Sequence, residues 1–268
     1  MTANLGCASP SADRGRRVAA AHAWADQARG RAVDLAFVQE VPTLVWLRGW
    51  RAAGYEYAVA SPMYGSRSAV LWRTARVAGE PVELPAARYH GSYVSAARLD
   101  LPAGPLLVVS VHASAKPVSK GDLGIWQRHV SDLPAPRRGG GRDNGKLFDA
   151  DLVLQSLVTA ADKEAVLAAG DYHVSLGWDA DRRERWAELY FAAARDAGLV
   201  PVLHDRWGTE YPTAFGQHVP RYQLDHVLAS REVAEAIPAP PLPEPPDEAD
   251  VADGLASDHA PIWFELRT

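Results

Sequence analysis

Polar residues close several short apolar runs that are spread over the whole chain. The run LAFV leads into Glu40, the run LLVVSV leads into His112, and the run AVLAAG leads into Asp171. Apolar runs of this length that end in polar groups are typical of buried strands, which carry side chains to one edge of a sheet. The chain therefore has to fold so that residues far apart in sequence meet at a common edge.

The residues at these positions form an acidic cluster with imidazoles and without sulfur ligands, since the only cysteine, Cys7, lies outside it. Oxygen-rich clusters suit Mg²⁺ or Mn²⁺, hard cations that keep water molecules and bind one or two carboxylates together with substrate phosphate. Phosphoester chemistry follows from that choice of metal. The set consists of Asn4, Glu40, His112, Asp171, His173, Asp225, Asp258 and His259.

The length of 268 residues allows one large domain or two small ones. Because the site residues run from Asn4 to His259, one site uses nearly all of the chain, and we expect a single domain over residues 1–268. The chain has 28 basic and 33 acidic residues and a net charge of −5, which excludes a globally basic nucleic-acid binder. Binding to a polyanion would need a local basic patch.

The single cysteine excludes an internal disulfide framework and suits a reducing compartment. No stretch approaches the roughly 18 uninterrupted apolar residues of a membrane helix. The N-terminus also lacks the charged-then-apolar order of a secretory signal. We therefore expect a cytoplasmic protein without a membrane span, and the sequence indicates no obligate protein partner.

Helical and strand patterns alternate along the chain, which predicts one layered α/β domain. The polar, proline-containing stretches 116–146 and 238–256 are predicted to be flexible loops. In the first of these, the basic run RRGGGR is a solubilising loop or, as the alternative, a phosphate clamp. Predicted helices cover residues 11–30, 43–53, 147–163 and 181–197, and predicted strands cover 34–40, 55–61, 66–74, 92–101, 105–114, 165–171, 222–230 and 256–268.

Taken together, these pieces resemble the endonuclease/exonuclease/phosphatase superfamily of DNase I-like metal-dependent phosphoesterases. The resemblance covers nearly the full chain, with the pieces in the family's order. It implies a four-layer α/β/β/α sandwich, in which two mixed sheets lie face to face, helices flank them and the site lies at one edge. The matching segments are TAN (2–4), VQE (38–40), SVH (110–112), GDYH (170–173), YQLDHVLAS (222–230) and SDHAP (257–261).

The resemblance also implies which residues hold a divalent cation. Glu40 matches the acidic residue that ends the family's second strand and would be the principal ligand of Mg²⁺, or of Mn²⁺ or another divalent cation. Asn4 and Asp258 would complete or orient the coordination shell. By their placement near strand ends, Arg67 and Lys116 are candidate substrate contacts.

The remaining residues would act on the phosphate and on water. Asp171 would hold or deprotonate the attacking water, and His259 would lie beside the scissile phosphate with Asp225 fixing its tautomer. His112 would donate to a phosphoryl oxygen or protonate the leaving oxygen, with a structural hydrogen bond as the alternative. The implied reaction is an in-line attack of water on phosphorus, as in a nuclease, a phosphodiesterase or a phosphatase.

Two departures from the family pattern bear on this function. The usual GDFN has become GDYH, so His173 stands where an asparagine donates to phosphate; it could replace the amide, add a metal ligand or spoil the site. The chain also starts close to Asn4, which would place this residue on a short edge strand. The alternative function is therefore a catalytically altered or inactive member that acts as a ligand-binding or scaffold protein. The enzyme's substrate would be nucleic acid or a small phosphodiester.

Overall fold

The computed structural model describes residues 1–5, 14–41, 43–60, 67–84, 94–128, 133–136, 145–215, 221–253 and 256–267. Helices alternate with strands over these ranges. In chain order the elements are β1 (Thr2–Asn4), α1 (Arg14–Gly30), β2 (Leu35–Gln39), α2 (Leu44–Ala52), β3 (Tyr55–Val59), β4 (Ala69–Arg73), β5 (Ala78–Val82), β6 (Val94–Leu101), β7 (Gly104–His112), α3 (Lys120–Trp126), α4 (Asp149–Ala161), β8 (Ala165–Asp171), α5 (Leu176–Arg182), α6 (Trp186–Asp196), β9 (Leu199–Pro201), α7 (Val202–Trp207), β10 (Asp225–Ser230), α8 (Arg231–Glu235) and α9 (Glu248–Ala252).

The described strands form two mixed sheets. One sheet has the order β1-β2-β4-β3, and the other has the order β5-β6-β7-β8-β10-β9. Strand β1 runs parallel to β2, and β7 runs parallel to β8, whereas the other described pairs are antiparallel. The predicted pair of mixed sheets is confirmed.

Alternating side chains along the strands build the layers. On β2, Phe37 packs in the core between the sheets, whereas Ala36 and Val38 pack under the first pair of helices. On β7, Val108 belongs to the core between the sheets, and Val109 packs in the outer core that contains α4 and α6. Because side chains alternate with a period of two, each sheet buries both of its faces. Helices outside two facing sheets give the four-layer sandwich.

Helices α1 and α2 cover the outer face of the first sheet. Thr43 begins α2 as its N-cap, because its side chain accepts a hydrogen bond from the backbone N–H of Trp46 at 3.1 Å. The prediction of a helix over 43–53 is confirmed. The predicted start of α1 at Ser11 lies outside the described residues. Among the helices of the described ranges, none combines the length and the apolar character that crossing a membrane would require.

Both predicted loops contain a short helix. Ser119 begins α3 by accepting a hydrogen bond from the backbone N–H of Asp122 at 3.2 Å, and Trp126 at the end of α3 is fully buried in the outer core. The prediction of a loop is therefore wrong for Lys120–Trp126, and burial excludes base stacking by Trp126. The second loop is interrupted by α9. The basic run near residue 140 lies outside the described residues.

Three other elements differ from their predictions. The helix predicted over 181–197 is two helices, α5 and α6, because Arg183 adopts a left-handed backbone with φ +55° that ends the first. The edge strand β5 was not predicted, since AGEPV contains a proline and lacks an apolar alternation. The C-terminal segment is not a strand in its described part and forms only single bridges, Thr2 to Ile262 and Ala214 to His259.

Candidate active site

Three adjacent strands of the larger sheet bring His112, Asp171 and Asp225 into one row. Asp171, the last residue of β8, is the register partner of His112 on β7 and of Asp225 on β10. Asp171 is fully buried, and Asp225 is 1% exposed. The sheet therefore places two buried carboxylates and an imidazole side by side, as the strand-end pattern predicts.

Gly170 allows the backbone of β7 and the side chain of Gln39 to lie close to β8 beside this row. Its backbone has φ +145°, and a Cβ at this position would lie 2.0 Å from the carbonyl oxygen of Val111 and 2.8 Å from Nε2 of Gln39. Residues with a side chain rarely adopt this backbone, and the contact with a carbonyl leaves no room for one. The glycine before Asp171 is thus required by the geometry of the strand end.

The smaller sheet supplies the opposite side of the site. Asn4 ends the short edge strand β1, and its Nδ2 donates to Oδ2 of Asp171 at 3.3 Å. Glu40 follows β2, and its Oε1 lies 3.7 Å from Nε2 of His112. The site cluster, which we define as Asn4, Glu40, His112, Asp171, His173, Asp225 and His259, therefore forms where the ends of the two sheets meet.

Two residues that the sequence did not single out hold the sheets together below the cluster. Nε2 of Gln39 donates to Oγ of Ser110 at 2.9 Å, and Oγ of Ser110 donates to the carbonyl oxygen of Val38 at 3.2 Å. Both side chains are fully buried between the sheets. Oε1 of Gln39 is buried without a hydrogen-bond partner among the described residues, so the amide of this pair is satisfied only through its nitrogen. Their only sequence signal is a polar residue inside an apolar run.

His259 is held by its neighbours on two sides. Its Nδ1 lies 2.8 Å from Oδ2 of Asp225, and its Nε2 lies 3.8 Å from Oδ2 of Asp171. Oγ of Ser257 accepts the backbone N–H of His259 at 3.1 Å and donates to the carbonyl oxygen of Asn4 at 2.7 Å. Ser257 thereby ties the C-terminal segment to β1, a role that the sequence analysis missed although Ser257 lies in SDHAP.

His173 contacts the same central carboxylate from above the strand end. Its backbone N–H donates to Oδ1 of Asp171 at 3.0 Å, and its Nδ1 lies 3.0 Å from that oxygen. Its backbone is left-handed, with φ +51°, and Glu40 has φ +54°. Left-handed non-glycine residues are uncommon, and such strain concentrates at functional sites.

The charges of the cluster follow from burial and from neighbouring groups. Burial would lower the pKa of His259, but the carboxylate of Asp225, with further help from Asp171 and Asp258, raises it to about 10. Burial would raise the pKa of the Asp171 carboxyl, but the surrounding imidazoles, His173 first, hold it well below its usual range. At neutral pH this geometry sets an anionic carboxylate beside a charged imidazole.

The other two imidazoles of the cluster differ from each other. Burial lowers the pKa of His112, and the carboxylates of Asp171 and Glu40 only partly oppose this shift. Burial also acts to lower the pKa of His173, but its close contact with Asp171 raises the pKa overall. His112 is therefore the more easily neutralised imidazole of the two.

The remaining predicted site residues lie around the cluster. Asp258 is half-buried, its carbonyl oxygen accepts the backbone N–H of Phe215 at 2.7 Å, and its charge helps to raise the pKa of His259. The carbonyl oxygen of Arg67 accepts the N–H of Val41 at 2.9 Å, which places Arg67 next to the residue that follows Glu40. Lys116 is exposed, four residues beyond His112.

The described residues offer hard oxygen donors but no closed cage for a metal ion. Within the described ranges, no three His, Cys, Asp or Glu residues are grouped so that they could hold a metal ion between them. Mg²⁺ commonly binds through one or two carboxylates and keeps several waters, so it needs no such group. Glu40, with a side chain 16% exposed, offers a carboxylate that water can reach, and the oxygens of Asn4 and Asp258 are of the same hard type.

Two further residues support the site without belonging to it. His226 is buried and bonded at both ring nitrogens, Nε2 to the carbonyl oxygen of Val174 at 2.7 Å and Nδ1 to the amide of Gln223 at 3.1 Å, which gives it a structural role. Oγ1 of Thr213 accepts the backbone N–H groups of Leu224 and Asp225, both at 3.0 Å. No sequence pattern pointed to Thr213.

Trp207 is half-buried, and its surroundings distinguish packing from stacking on a base. Its indole Nε1 donates to the carbonyl oxygen of Pro240 at 2.9 Å, and its ring meets Tyr211 edge-on at 5.6 Å between centroids. Its ring also packs against the core between the sheets. These contacts favour packing over a role in stacking.

Comparison with known proteins identifies the fold. No family model and no curated protein matches the sequence. Among solved structures, an AP endonuclease from Archaeoglobus fulgidus matches with a TM-score of 0.66 and 13% identity, over 100% of this chain and 98% of that chain. The 3′-5′ exonuclease NExo from Neisseria meningitidis matches with a TM-score of 0.64 and 12% identity, over 94% and 96%.

A third structure, TDP2 from D. rerio complexed with a single-strand DNA product, matches with a TM-score of 0.59 and 16% identity, over 100% of this chain and 97% of that chain. These likenesses extend over almost the whole of each chain, although few residues are identical. The chain therefore shares the fold of these structures, the DNase I-like sandwich that the sequence resemblance predicts.

Proposed function

We propose that the protein is a divalent-metal-dependent hydrolase of phosphoester bonds, a nuclease or phosphodiesterase. The observation that carries this proposal is the central carboxylate of Asp171, which lies within 4.0 Å of imidazole nitrogens of His112, His173 and His259. An anion surrounded by imidazoles provides both an acceptor for water and donors for phosphoryl oxygens. Positioning and electrostatic stabilisation of this kind supply most of the catalysis of phosphoryl transfer.

Each group of the cluster has a separate task in this proposal. Asp171 accepts a hydrogen bond from the attacking water and orients it for in-line attack; its lowered pKa makes the carboxylate a hydrogen-bond acceptor and a weak base. His259 is charged at neutral pH and donates from Nε2 to a phosphoryl oxygen, with Asp225 holding Nδ1. His112 donates to a second phosphoryl oxygen or to the leaving oxygen.

A divalent cation, Mg²⁺ or Mn²⁺, belongs to this proposal. Glu40 would be its principal ligand, with Asn4 and Asp258 nearby. When bound, the cation would neutralise charge that develops on the phosphoryl oxygens. The exposed edge of Glu40 and the oxygen-only donors support this assignment.

The substrate class is a nucleic acid or a smaller phosphodiester. The structural relatives are, by their descriptions, an AP endonuclease, a 3′-5′ exonuclease and a protein complexed with a DNA product, which supports nucleic acid. The net charge of −5 weighs against strong non-specific binding of a polyanion. Arg67 and Lys116 are the proposed cationic contacts. Use of a single cysteine supports a cytoplasmic location as part of this proposal.

Hydrolysis of bis(4-nitrophenyl) phosphate and of a labelled oligonucleotide tests the function. We expect turnover with Mg²⁺ or Mn²⁺, none with chelator, and a loss of about 10²-fold or more in Asp171→Asn. Asp205→Asn is the matched control, because it removes an exposed carboxylate that also lies beside an imidazole, 3.5 Å from Nδ1 of His204. Absence of hydrolysis with Mg²⁺, Mn²⁺ and Ca²⁺ throughout neutral pH would overturn the proposal.

One observation favours a second function, binding of a phosphate ligand without turnover. Nδ1 of His173 lies 3.0 Å from Oδ1 of Asp171, so this imidazole competes with water for the carboxylate. A protein arranged in this way would bind a phosphoester tightly and leave it intact. Calorimetry with the same esters distinguishes the two functions, since the second predicts binding in the absence of hydrolysis.

A further inference from the structure

A pocket opens beside the site cluster, between α1 and the chain around Asp258. Its volume is about 490 Å³, within the range of small-molecule binding sites. Asn4 and His259 line this pocket and also belong to the site cluster. The pocket therefore borders the site at Asn4 and His259. For a molecule whose phosphate lies at His259, the pocket is the adjacent space for the next group.

One face of α1 forms the opposite wall. Ala20, Ala23, Trp24 and Gln27 line the pocket and are spaced three, four and seven residues from the first, which is one helical face. The small side chains of the two alanines leave open the space beside Trp24. The buried alanines Ala25 and Ala28 of α1 pack under the first sheet, whereas Ala21 packs there and also lines the pocket.

Trp24 presents a fixed aromatic surface in this wall. Its ring stacks on Trp46 at 6.0 Å between centroids with 29° between the planes, and it packs against Trp50, also at 6.0 Å. Trp46 in turn meets Trp50 edge-on at 5.7 Å. Because two rings hold it in place, Trp24 can stack on a planar ligand with little loss of side-chain freedom.

The described part of the lining carries little charge. His259 is its only ionisable residue, and the other described lining residues are apolar or carry neutral amide or hydroxyl groups. Among these residues, an anionic group would lose hydration and find no cationic partner other than His259. The phosphate is therefore expected at the imidazoles, and an uncharged group in the pocket.

We infer that the pocket binds the planar, uncharged heteroaromatic substituent of a phosphoester, a nucleobase, while the phosphate lies at His259. The inference rests on the proposed function for the placement of the phosphate. The volume of the pocket, its aromatic wall and the low charge of its described lining fit a base that stacks on Trp24, a contact that tolerates any base because every base has an aromatic face. This subsite makes the substrate a nucleotide ester rather than an alkyl phosphodiester.

Binding without turnover tests the subsite. Adenosine 5′-monophosphate and ribose 5-phosphate, which lacks the base, are titrated into the full chain by calorimetry in the presence of chelator. We expect the nucleotide to bind roughly tenfold more tightly, the size of one stacking contact. Ala23→Leu should abolish this difference. Ala19→Leu is the control, because Ala19 and Ala23 are both exposed on α1 but only Ala23 lines the pocket.

Equal binding of the two ligands, or equal effects of the two leucine variants, would overturn the subsite. The result is separable from the proposed function. If there is no hydrolysis but Ala23→Leu abolishes a preference for the nucleotide, the hydrolase proposal fails and the subsite stands. If there is hydrolysis but no preference for the nucleotide, the subsite fails and the hydrolase proposal stands. A short single-stranded oligonucleotide is then added to the complex with adenosine 5′-monophosphate. Displacement of the nucleotide assigns the pocket to the base at a strand end, and no displacement assigns it to a free nucleotide.

Discussion

Oδ2 of Asp225 lies 2.8 Å from Nδ1 of His259, and this contact determines the charge of the imidazole. Burial alone would favour a neutral ring, whereas the carboxylates of Asp225, Asp171 and Asp258 raise its pKa to about 10. His259 is thus a permanent cation over the pH range of most assays. Its second nitrogen, Nε2, is directed toward the central carboxylate at 3.8 Å.

Replacement of Asp225 by asparagine should therefore lower the pKa of His259. The charged ring stabilises the folded state fully below the unfolded pKa near 6.5, and this contribution is lost as the pH rises through about 10. Asp225→Asn should remove it and reduce turnover about 10²-fold. NMR titration of the ring in the metal-free protein measures the pKa. In the control Asp205→Asn it should not change, and an unchanged pKa in Asp225→Asn would contradict the pairing.

Glu40→Gln should abolish metal-dependent turnover while the fold remains. A glutamine has the same shape as the glutamate, so the protein should still fold, which circular dichroism checks. Activity with Mg²⁺ and direct titration of Mn²⁺ provide the measurements. Glu56→Gln is the control, because Glu56 is an exposed carboxylate paired with Arg51. Retained activity in Glu40→Gln would show that another residue is the principal ligand.

His173→Asn should keep the backbone and raise the rate. Asparagine, like histidine, is enriched in the left-handed region that residue 173 occupies at φ +51°, so the fold should be preserved. Without the imidazole, Asp171 is released to orient water. The gain in rate should be largest at low pH. His173, whose pKa is raised, is charged there and holds Asp171 most strongly, whereas it becomes neutral as the pH rises. A rate profile against pH decides; a lower rate would assign His173 a specific catalytic task.

Gly170→Ala should be among the most destabilising small substitutions in this chain. The new Cβ would lie 2.0 Å from a backbone carbonyl, and the required φ of +145° is unfavourable for alanine, so we expect a loss of about 3 kcal/mol or more. Gly198→Ala is the control: at φ +80° with nothing within 4 Å of the Cβ, it should cost only about 1 kcal/mol. Urea unfolding compares the two, and similar losses would contradict the steric argument.

The strand ends were predictable because an apolar run followed by a polar residue is a local signal. His112, Asp171 and Asp225 each follow or begin such a run, and the structure aligns them in one row. Which sheet each strand joins is not local, so the sequence could not assign β2 and β7 to different sheets. The contact of Asn4 with Asp171 depends on that assignment.

The mispredicted segments lack a strong local pattern. Polar residues around Ser119 and Asp122 resemble a loop, but they cap a helix whose last residue, Trp126, is fully buried in the core. Ser257 and Thr213 act through hydrogen bonds to distant backbone, which no spacing rule encodes. The pocket beside Trp24 depends likewise on how α1 lies against the C-terminal segment.

Asn4 and Glu40 stand at the end of one sheet, and the row of His112, Asp171 and Asp225 stands at the end of the other, so the core between the sheets sets the distance across the site. Phe37 and Val108 fill that core far from any reacting atom. Changing their volume would alter the gap across which Asn4 reaches Asp171, and with it the size of the group that fits there. The range of substrates that fit such a protein can therefore change through substitutions in the hydrophobic core, while every polar residue of the cleft stays the same.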